Sequence, residues 1–375
     1  MARPPLALML LQTALLAGCS GSDFTSSSTG GGGSTSSGGA GGNGGAGAIG
    51  GAAGAGAASG AGGSGAASGG GTGGTSGGAG GGGGAGATGG AGGAGAAGGA
   101  GGTGGVTCTA NLKTDSNHCG ACFHSCLGGA CVNGYCPLTK LYSPNSPVGL
   151  ALDASNRLYW GSDSSNDIKR APKDGSGAPE KVVTETSAVY YVAVANGELF
   201  WTTGAKDLKK TAIGSTSPKI LAPGLGNPYG VAVAGGKAFV AEGGDSKVAV
   251  IDAAVGGELV SYSVPSNSTP EGVATDGSWL FVALNAGTDI VTLPVGGGTP
   301  SIFVGNQEKP AGIAVEGEWV YWTTQGSPGR LRKKKKTGGP VVELATDLSL
   351  PTGVVVDAQY VYVAEHGSAI YRLPK

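Results

Sequence analysis

The sequence predicts an all-β protein whose C-terminal region is a six-bladed β-propeller. Two observations lead to this fold class. A unit of about 41 residues recurs six times between Leu138 and Lys375, a period typical of propeller blades. Within each unit, short runs of aromatic and β-branched residues alternate with turns rich in glycine or proline, as expected for antiparallel strands.

Each unit starts at an anchor of proline, any residue and glycine, followed by alternating apolar residues. One copy has drifted, and Tyr191 stands in its glycine column. With Tyr191 included, successive glycine columns are 42, 39, 42, 40 and 41 residues apart. The intact anchors are Pro147–Gly149, Pro228–Gly230, Pro270–Gly272, Pro310–Gly312 and Pro351–Gly353.

Three strands follow each anchor, but only five units have a fourth, outer strand before the chain ends at Lys375. The segment Thr139–Tyr142 lies before the first anchor and has the character of the missing strand. We expect it to pair beside the strand around Ile370 and close the ring, because closure hides edges that would otherwise promote aggregation.

The anchors and the Leu-Tyr-Trp, Leu-Phe-Trp and Val-Tyr-Trp strands at 158–160, 199–201 and 320–322 resemble those of six-bladed propellers of the NHL, YWTD and TolB-like kind. The resemblance covers residues 138–375. It implies a binding platform, although a fold by itself does not define a function.

Residues 1–18 are predicted to be a bacterial lipoprotein signal peptide. Arg3 supplies a positive end, an apolar stretch follows, and Leu16-Ala17-Gly18-Cys19 matches the lipobox. We expect cleavage before Cys19 and attachment of lipid to that residue, which would anchor the protein to a membrane. Because Ser20 replaces the aspartate associated with inner-membrane retention, the expected location in the bacterial envelope is the outer membrane, on its periplasmic side or at the cell surface.

Residues 19–107 form the lipidated cysteine and a tether made almost wholly of Gly, Ala, Ser and Thr, with no charged residue between Phe24 and Leu112. Such a composition cannot bury enough apolar surface to offset its ordering entropy, so we expect a disordered spacer.

Residues 108–136 are predicted to be a small disulfide-rich module with almost no apolar core. In an exported protein its six cysteines would form three disulfides, with the pairing open. Zinc bound near His118 and His124 is the alternative, which oxidation of the thiols disfavours. We expect reduction to unfold this module and to leave the propeller intact. Its cysteines are Cys108, Cys119, Cys122, Cys126, Cys131 and Cys136.

Net charge does not indicate a nucleic-acid binder, since the chain has 23 basic and 24 acidic residues, and we expect no nucleic acid as a partner. A basic run, Arg330–Lys336, lies on the third strand of its unit and the turn after it. It is interpreted as a solvated outer edge protected by lysines, with an anionic partner as the alternative.

Ligand-binding candidates come from the mouth of the central tunnel, where loops entering first strands meet loops leaving second strands. These candidates are taken from the middle residue of each anchor and from the residues at the ends of second strands. No Ser/His/Asp set, P-loop or dinucleotide fingerprint occurs, so no catalytic residue is assigned. The candidates are Tyr190, Tyr229, Glu271, Glu242 and Glu365.

A calcium-dependent lactonase of the gluconolactonase and SMP-30 group is the enzyme that the anchors resemble most. That resemblance implies Ca²⁺ held by Glu, Asn and Asp at anchor positions, and only Glu271 matches. His366, the propeller's single histidine, is expected to be solvated.

The sequence therefore predicts a non-catalytic platform for an envelope protein or glycan, without a required cofactor or metal. A calcium-dependent lactonase or hydrolase and a structural subunit of an envelope complex are the alternatives.

Overall fold

The computed structural model describes residues 109–121, 123–367 and 369–375, and all of them lie within one compact unit, Ala96–Lys375. The predicted signal peptide, Cys19 and the predicted tether lie outside the described residues. The described part of the chain is all-β and contains no helix long and apolar enough to cross a membrane.

Twenty-four strands form six four-stranded antiparallel sheets, which confirms the predicted six-bladed propeller. The first three blades are β2 (Pro147–Leu152), β3 (Arg157–Ser162), β4 (Asp167–Pro172) and β5 (Glu180–Thr184); β6 (Val189–Ala195), β7 (Glu198–Thr203), β8 (Leu208–Ala212) and β9 (Lys219–Ala222); β10 (Pro228–Ala234), β11 (Lys237–Glu242), β12 (Lys247–Asp252) and β13 (Glu258–Ser263). The last three are β14 (Pro270–Thr275), β15 (Trp279–Leu284), β16 (Asp289–Pro294) and β17 (Ser301–Val304); β18 (Pro310–Glu316), β19 (Trp319–Thr324), β20 (Gly329–Lys335) and β21 (Val342–Leu348); β22 (Pro351–Val356), β23 (Tyr360–Glu365), β24 (Ala369–Pro374) and β1 (Thr139–Tyr142).

The ring is closed as the sequence predicts. Strand β1 is the outer strand of the sixth blade and runs antiparallel to β24, with Thr139 opposite Arg372 and Tyr142 opposite Ile370. Tyr142 is buried and its ring stacks on Trp160 of the first blade, with centroids 5.5 Å apart. The closing strand therefore ties the last blade to the first through side chains as well as backbone.

Second strands supply most of the packing between blades. The aromatic residues in the middle of these strands are almost fully buried, and Trp160, Trp201 and Trp322 have no exposed surface. Each apolar cluster draws on neighbouring blades. One of them joins Phe200 of β7 to Val240 of β11. Burial of such large side chains is the main stabilising contribution that the sequence offers.

First strands crowd together at the axis, and this explains the glycine of the five intact anchors. A Cβ added at Gly312 would overlap the carbonyl oxygen of Thr352 in the next blade, and one at Gly353 would overlap the carbonyl oxygen of Val148. Only glycine lets neighbouring backbones approach this closely.

Every anchor also contains a β-bulge. In all six blades the register between first and second strands shifts just after the anchor's first residue, as between Pro270 and Val273. A bulge re-aims the side chain at the rim of a closed sheet. The middle residue of each anchor is thereby directed toward one end of the tunnel.

Residues 109–136 form a small module without regular sheets, held by the disulfides Cys119–Cys131 and Cys126–Cys136. Cys108 and Cys122 lie outside the described residues. The Tyr135 hydroxyl donates to Glu343 on β21 at 2.7 Å, and His124 lies 3.5 Å from the carbonyl oxygen of Pro374. The module therefore packs on the last two blades, beside the closing strand.

Candidate functional site

Two columns of residues define the tunnel mouth. First and second strands are antiparallel, so each anchor lies opposite the end of its second strand, as Pro270 lies opposite Leu284. The anchor column is Val148, Tyr190, Tyr229, Glu271, Ala311 and Thr352, and the column one residue beyond each second strand is Asp163, Gly204, Gly243, Asn285, Gln325 and His366.

Glu271 is the centre of a polar cluster contributed by three blades. Its carboxylate accepts hydrogen bonds from the Asn285 amide at 2.7 Å, the Gln325 amide at 3.3 Å and the Tyr191 hydroxyl at 3.3 Å. Asn285 and Gln325 also contact one another, at 3.3 Å. Tyr191 belongs to β6, two blades before β14, so its side chain reaches past the third blade.

The electrostatic state of Glu271 follows from this environment. Desolvation by burial raises the pKa of its carboxyl from 4.5 to about 7, while the hydrogen bonds from Tyr191, Gln325 and Asn285 lower it. The carboxyl therefore changes charge near neutral pH. Glu271 keeps part of its surface exposed, so a ligand at the mouth can reach it.

Tyr190 and Tyr229 form the aromatic side of the mouth. Their ring centroids are 5.3 Å apart with a tilt of 44°, and both side chains are half-buried. The glycines of the second column leave space for them. A Cβ at Gly204 would lie 3.5 Å from the Tyr190 hydroxyl, and one at Gly243 would lie 2.9 Å from the Tyr229 ring.

His366 and Asp163 form an ion pair between the sixth and first blades, with Nε2 and Oδ2 2.8 Å apart. The hydrogen bond that His366 donates to the Asp163 carboxylate raises the pKa of His366 despite partial burial. The expectation of a merely solvated histidine is therefore wrong. An imidazole oriented by a carboxylate is the arrangement that general acid–base catalysis uses.

Glu242 and Glu365 lie at the ends of β11 and β23, one residue before the mouth column. Both are buried, and each accepts a hydrogen bond from the loop that enters its own blade. Glu242 accepts from the Gly226 amide at 2.7 Å, and Glu365 accepts from the Ser349 amide at 2.9 Å. The structure thus places these two candidates under the loops, apart from the Glu271 cluster.

Calcium fits this cluster poorly. Ca²⁺ prefers six to eight oxygen ligands with several carboxylates, whereas Glu271 is the single carboxylate of the cluster and amide nitrogens face it. Among the described residues, the one group of His, Cys, Asp or Glu side chains with metal-like spacing is Cys119, Cys126 and Cys136. All three are disulfide-bonded, so none of these three is a free thiolate for zinc.

The basic run carries little free charge. Strand β20 lies between β19 and β21, so the interpretation as an outer edge is wrong. Its arginines pair with Glu343, and Lys336 pairs with Asp276 at 2.8 Å. Lys333 lies 4.8 Å from the centre of the Trp319 ring. These contacts give an anionic partner few unpaired cations.

Three residues of the cluster, Tyr191, Asn285 and Gln325, were not among the candidates from sequence. Tyr191 stands in a glycine column and looks like drift, and Gln325 belongs to no recognised motif. Counting one residue beyond each second strand would have aligned Gln325 with Asn285 and His366 with Asp163. The reach of Tyr191 across a blade depends on the packing of the ring and leaves no local signal.

No protein-family model matches the chain, and no curated protein matches it in sequence. Solved structures share its fold. Virginiamycin B lyase from Staphylococcus aureus is 17% identical over 64% of this chain and 99% of that one, with a TM-score of 0.50. A gluconolactonase from Xanthomonas campestris is 15% identical over 63% of this chain and 89% of that one, with a TM-score of 0.52.

A Bacteroides thetaiotaomicron protein of unknown function is 14% identical over 64% of this chain and 72% of that one, with a TM-score of 0.52. At such identities these likenesses show the fold alone. Propellers of this shape include a lyase and a lactonase, so the fold leaves the activity of this chain open.

Proposed function

We propose that the protein is an envelope-anchored lipoprotein whose propeller binds a protein or glycan ligand at the tunnel mouth without catalysis. The observation that supports this most strongly is the convergence of Tyr190 and Tyr229 with the Glu271 cluster. Aromatic rings beside amide and carboxyl groups provide stacking and hydrogen bonding in one place, which is how concave sites hold polar ligands. The lipobox at Cys19 supports the anchoring.

The test is ligand capture by the full-length chain, using glycan arrays and intact bacterial envelopes. Replacing Tyr190 and Tyr229 together by Ala should weaken binding at least about tenfold, because stacked aromatic contacts are each worth about 1 kcal/mol. Trp279→Ala is the matched control. Trp279 is an exposed aromatic residue at the start of β15, the end opposite to the mouth. Binding that survives the double substitution would contradict the proposed site.

A second candidate, a lactonase or other hydrolase, is favoured by the ion pair of His366 and Asp163. This pair is a ready general base at the same mouth. Turnover of a lactone by the full-length chain, lost in His366→Ala and retained in Trp279→Ala, would favour this candidate over the binding platform.

A further inference from the structure

Glu271 differs from four other carboxylates of the propeller, whose side chains have little exposed surface, in having no cationic partner. Each of these four has a lysine within 4.0 Å, which compensates the charge that burial would otherwise make costly. The pairs are Asp167 with Lys181 at 3.4 Å, Glu185 with Lys209 at 2.8 Å, Glu242 with Lys247 at 3.6 Å and Asp357 with Lys173 at 2.7 Å.

The partners of Glu271 are all neutral. They are the hydroxyl of Tyr191 and the amides of Asn285 and Gln325, and within the described part of the chain no lysine, arginine or histidine forms an ion pair with its carboxylate. When ionised, this group is a negative charge at the tunnel mouth that its surroundings orient but do not neutralise.

The other charged groups of the mouth leave that negative charge uncompensated. His366 is already engaged by Asp163, which cancels its charge when the imidazole is protonated. The aromatic rings of the mouth also favour a positive charge, because their faces are electron-rich and attract cations. Tyr229 lies close enough to Glu271 for the two to interact electrostatically, and Tyr190 packs against Tyr229.

We infer that the ligand of the tunnel mouth presents an organic cation, an alkylated or primary ammonium group, to Glu271 and to the rings of Tyr190 and Tyr229. This inference rests on the proposed function and specifies the chemistry of its ligand. A carboxylate in the neighbourhood of aromatic rings suits a weakly hydrated organic cation. A metal ion would require more oxygen ligands than the cluster provides.

The probes that test this are choline and 3,3-dimethylbutan-1-ol, which have nearly the same shape and differ in charge. Titration of the full-length chain by calorimetry should show choline binding at least tenfold more tightly than the neutral alcohol. Glu271→Gln keeps the shape of the side chain and should remove that difference. Tyr229→Leu should weaken choline binding as well, and Trp279→Ala should leave it unchanged.

The pH dependence gives an independent readout. Because choline does not titrate, its affinity should rise as Glu271 ionises, between about pH 6 and about pH 8. The hydrogen bond to Asp163 raises the pKa of His366, and loss of the imidazole's charge as pH rises would act in the same direction. The rise should therefore persist in His366→Gln and disappear in Glu271→Gln.

Equal affinity for choline and the alcohol, no binding of either, or binding of choline that Glu271→Gln leaves unchanged would each overturn the inference. Saturating Ca²⁺ binding that depends on Glu271 and excludes choline would overturn it in favour of a metal. A different outcome would reject the cation and leave the proposed function standing. In that outcome a neutral glycan or protein ligand binds the parent and Glu271→Gln equally well, and the tyrosine double variant no longer binds it.

Discussion

The side chain of Glu271 owes its chemistry to the bulge that carries it. The bulge aims the middle residue of the anchor at the tunnel mouth, and Tyr191, Asn285 and Gln325 then surround the carboxylate with neutral donors. Protein around the group removes water without supplying a positive charge. Such a carboxyl is held protonated to a higher pH than usual.

Glu271→Gln should therefore stabilise the propeller in a pH-dependent way. The folded-state pKa of about 7 exceeds the ordinary value of 4.5, so the folded state binds this proton more tightly, and stability falls as pH rises from 4.5 to about 7. At about pH 8 the variant should gain up to about 3 kcal/mol in the free energy of unfolding. The gain should vanish near about pH 4, where both states are protonated.

Urea titrations across this pH range measure the effect. The exposed Glu308→Gln variant is the control for loss of a surface charge, and it should show no comparable gain. The stability difference between Glu271→Gln and the parent should grow in the variant's favour as pH rises. A difference that shrinks or reverses at high pH would contradict the raised pKa assigned to Glu271.

First strands are the elements with the least freedom in this ring. Their anchors meet backbone to backbone around the axis, and Thr323 on β19 donates to the Thr352 carbonyl of the next blade at 2.9 Å. The same hydroxyl accepts a hydrogen bond from the Gly312 amide at 2.9 Å. One threonine therefore pairs the backbone amide at the bulge and links two blades. A side chain inserted here has no space in which to relax.

Gly312→Ala should accordingly destabilise the ring. The added Cβ would overlap the Thr352 carbonyl, and the free energy of unfolding should fall by about 2 to 4 kcal/mol. Gly296→Ala is the matched control, because a Cβ at Gly296 meets no atom within 4 Å. We expect that variant to change stability by less than about 1 kcal/mol. Equal melting temperatures for the two variants would show that the first strands are looser than the structure indicates.

Elements of this fold are far more predictable than the contacts between them. Repeat spacing and strand character predict the blades and even the closing of the ring by Thr139–Tyr142, because each strand repeats a local pattern. The position of Glu271 at the mouth follows from the anchor. Its link to Tyr191 does not, since it depends on how two blades are rotated about the axis. Glu242 is likewise misleading in sequence, where an acidic residue beside a mouth loop looks free while in the fold it holds that loop.

The module and the propeller share contacts that join them at the scale of the whole molecule. Tyr135 reaches Glu343, which also pairs with Arg330, and His124 lies against Pro374 at the end of β24. Burial lowers the pKa of His124, so the ring is held neutral between the two parts. The small module thus contacts both the fifth blade and the sixth, the blade that the closing strand completes.

Reduction should unfold the module and leave a cooperative propeller with a slightly lower melting temperature. Loss of the Tyr135 and His124 contacts should cost about 1 to 2 kcal/mol, equivalent to about 2 to 8 °C for a propeller of this size. Tyr135→Phe under oxidising conditions is the matched variant and should reproduce part of the shift. Calorimetry with and without reductant measures both, and collapse of the propeller transition on reduction would contradict this picture.

The docking of the module beside β1 has a mechanical consequence. A pull on the chain from its N-terminal side reaches the module before it reaches the closing strand. The load then divides between β1 and the bond from Tyr135 to Glu343, so two adjacent blades bear it together. A ring fastened in this way resists being unzipped from its seam, which is where a tethered propeller is otherwise easiest to open.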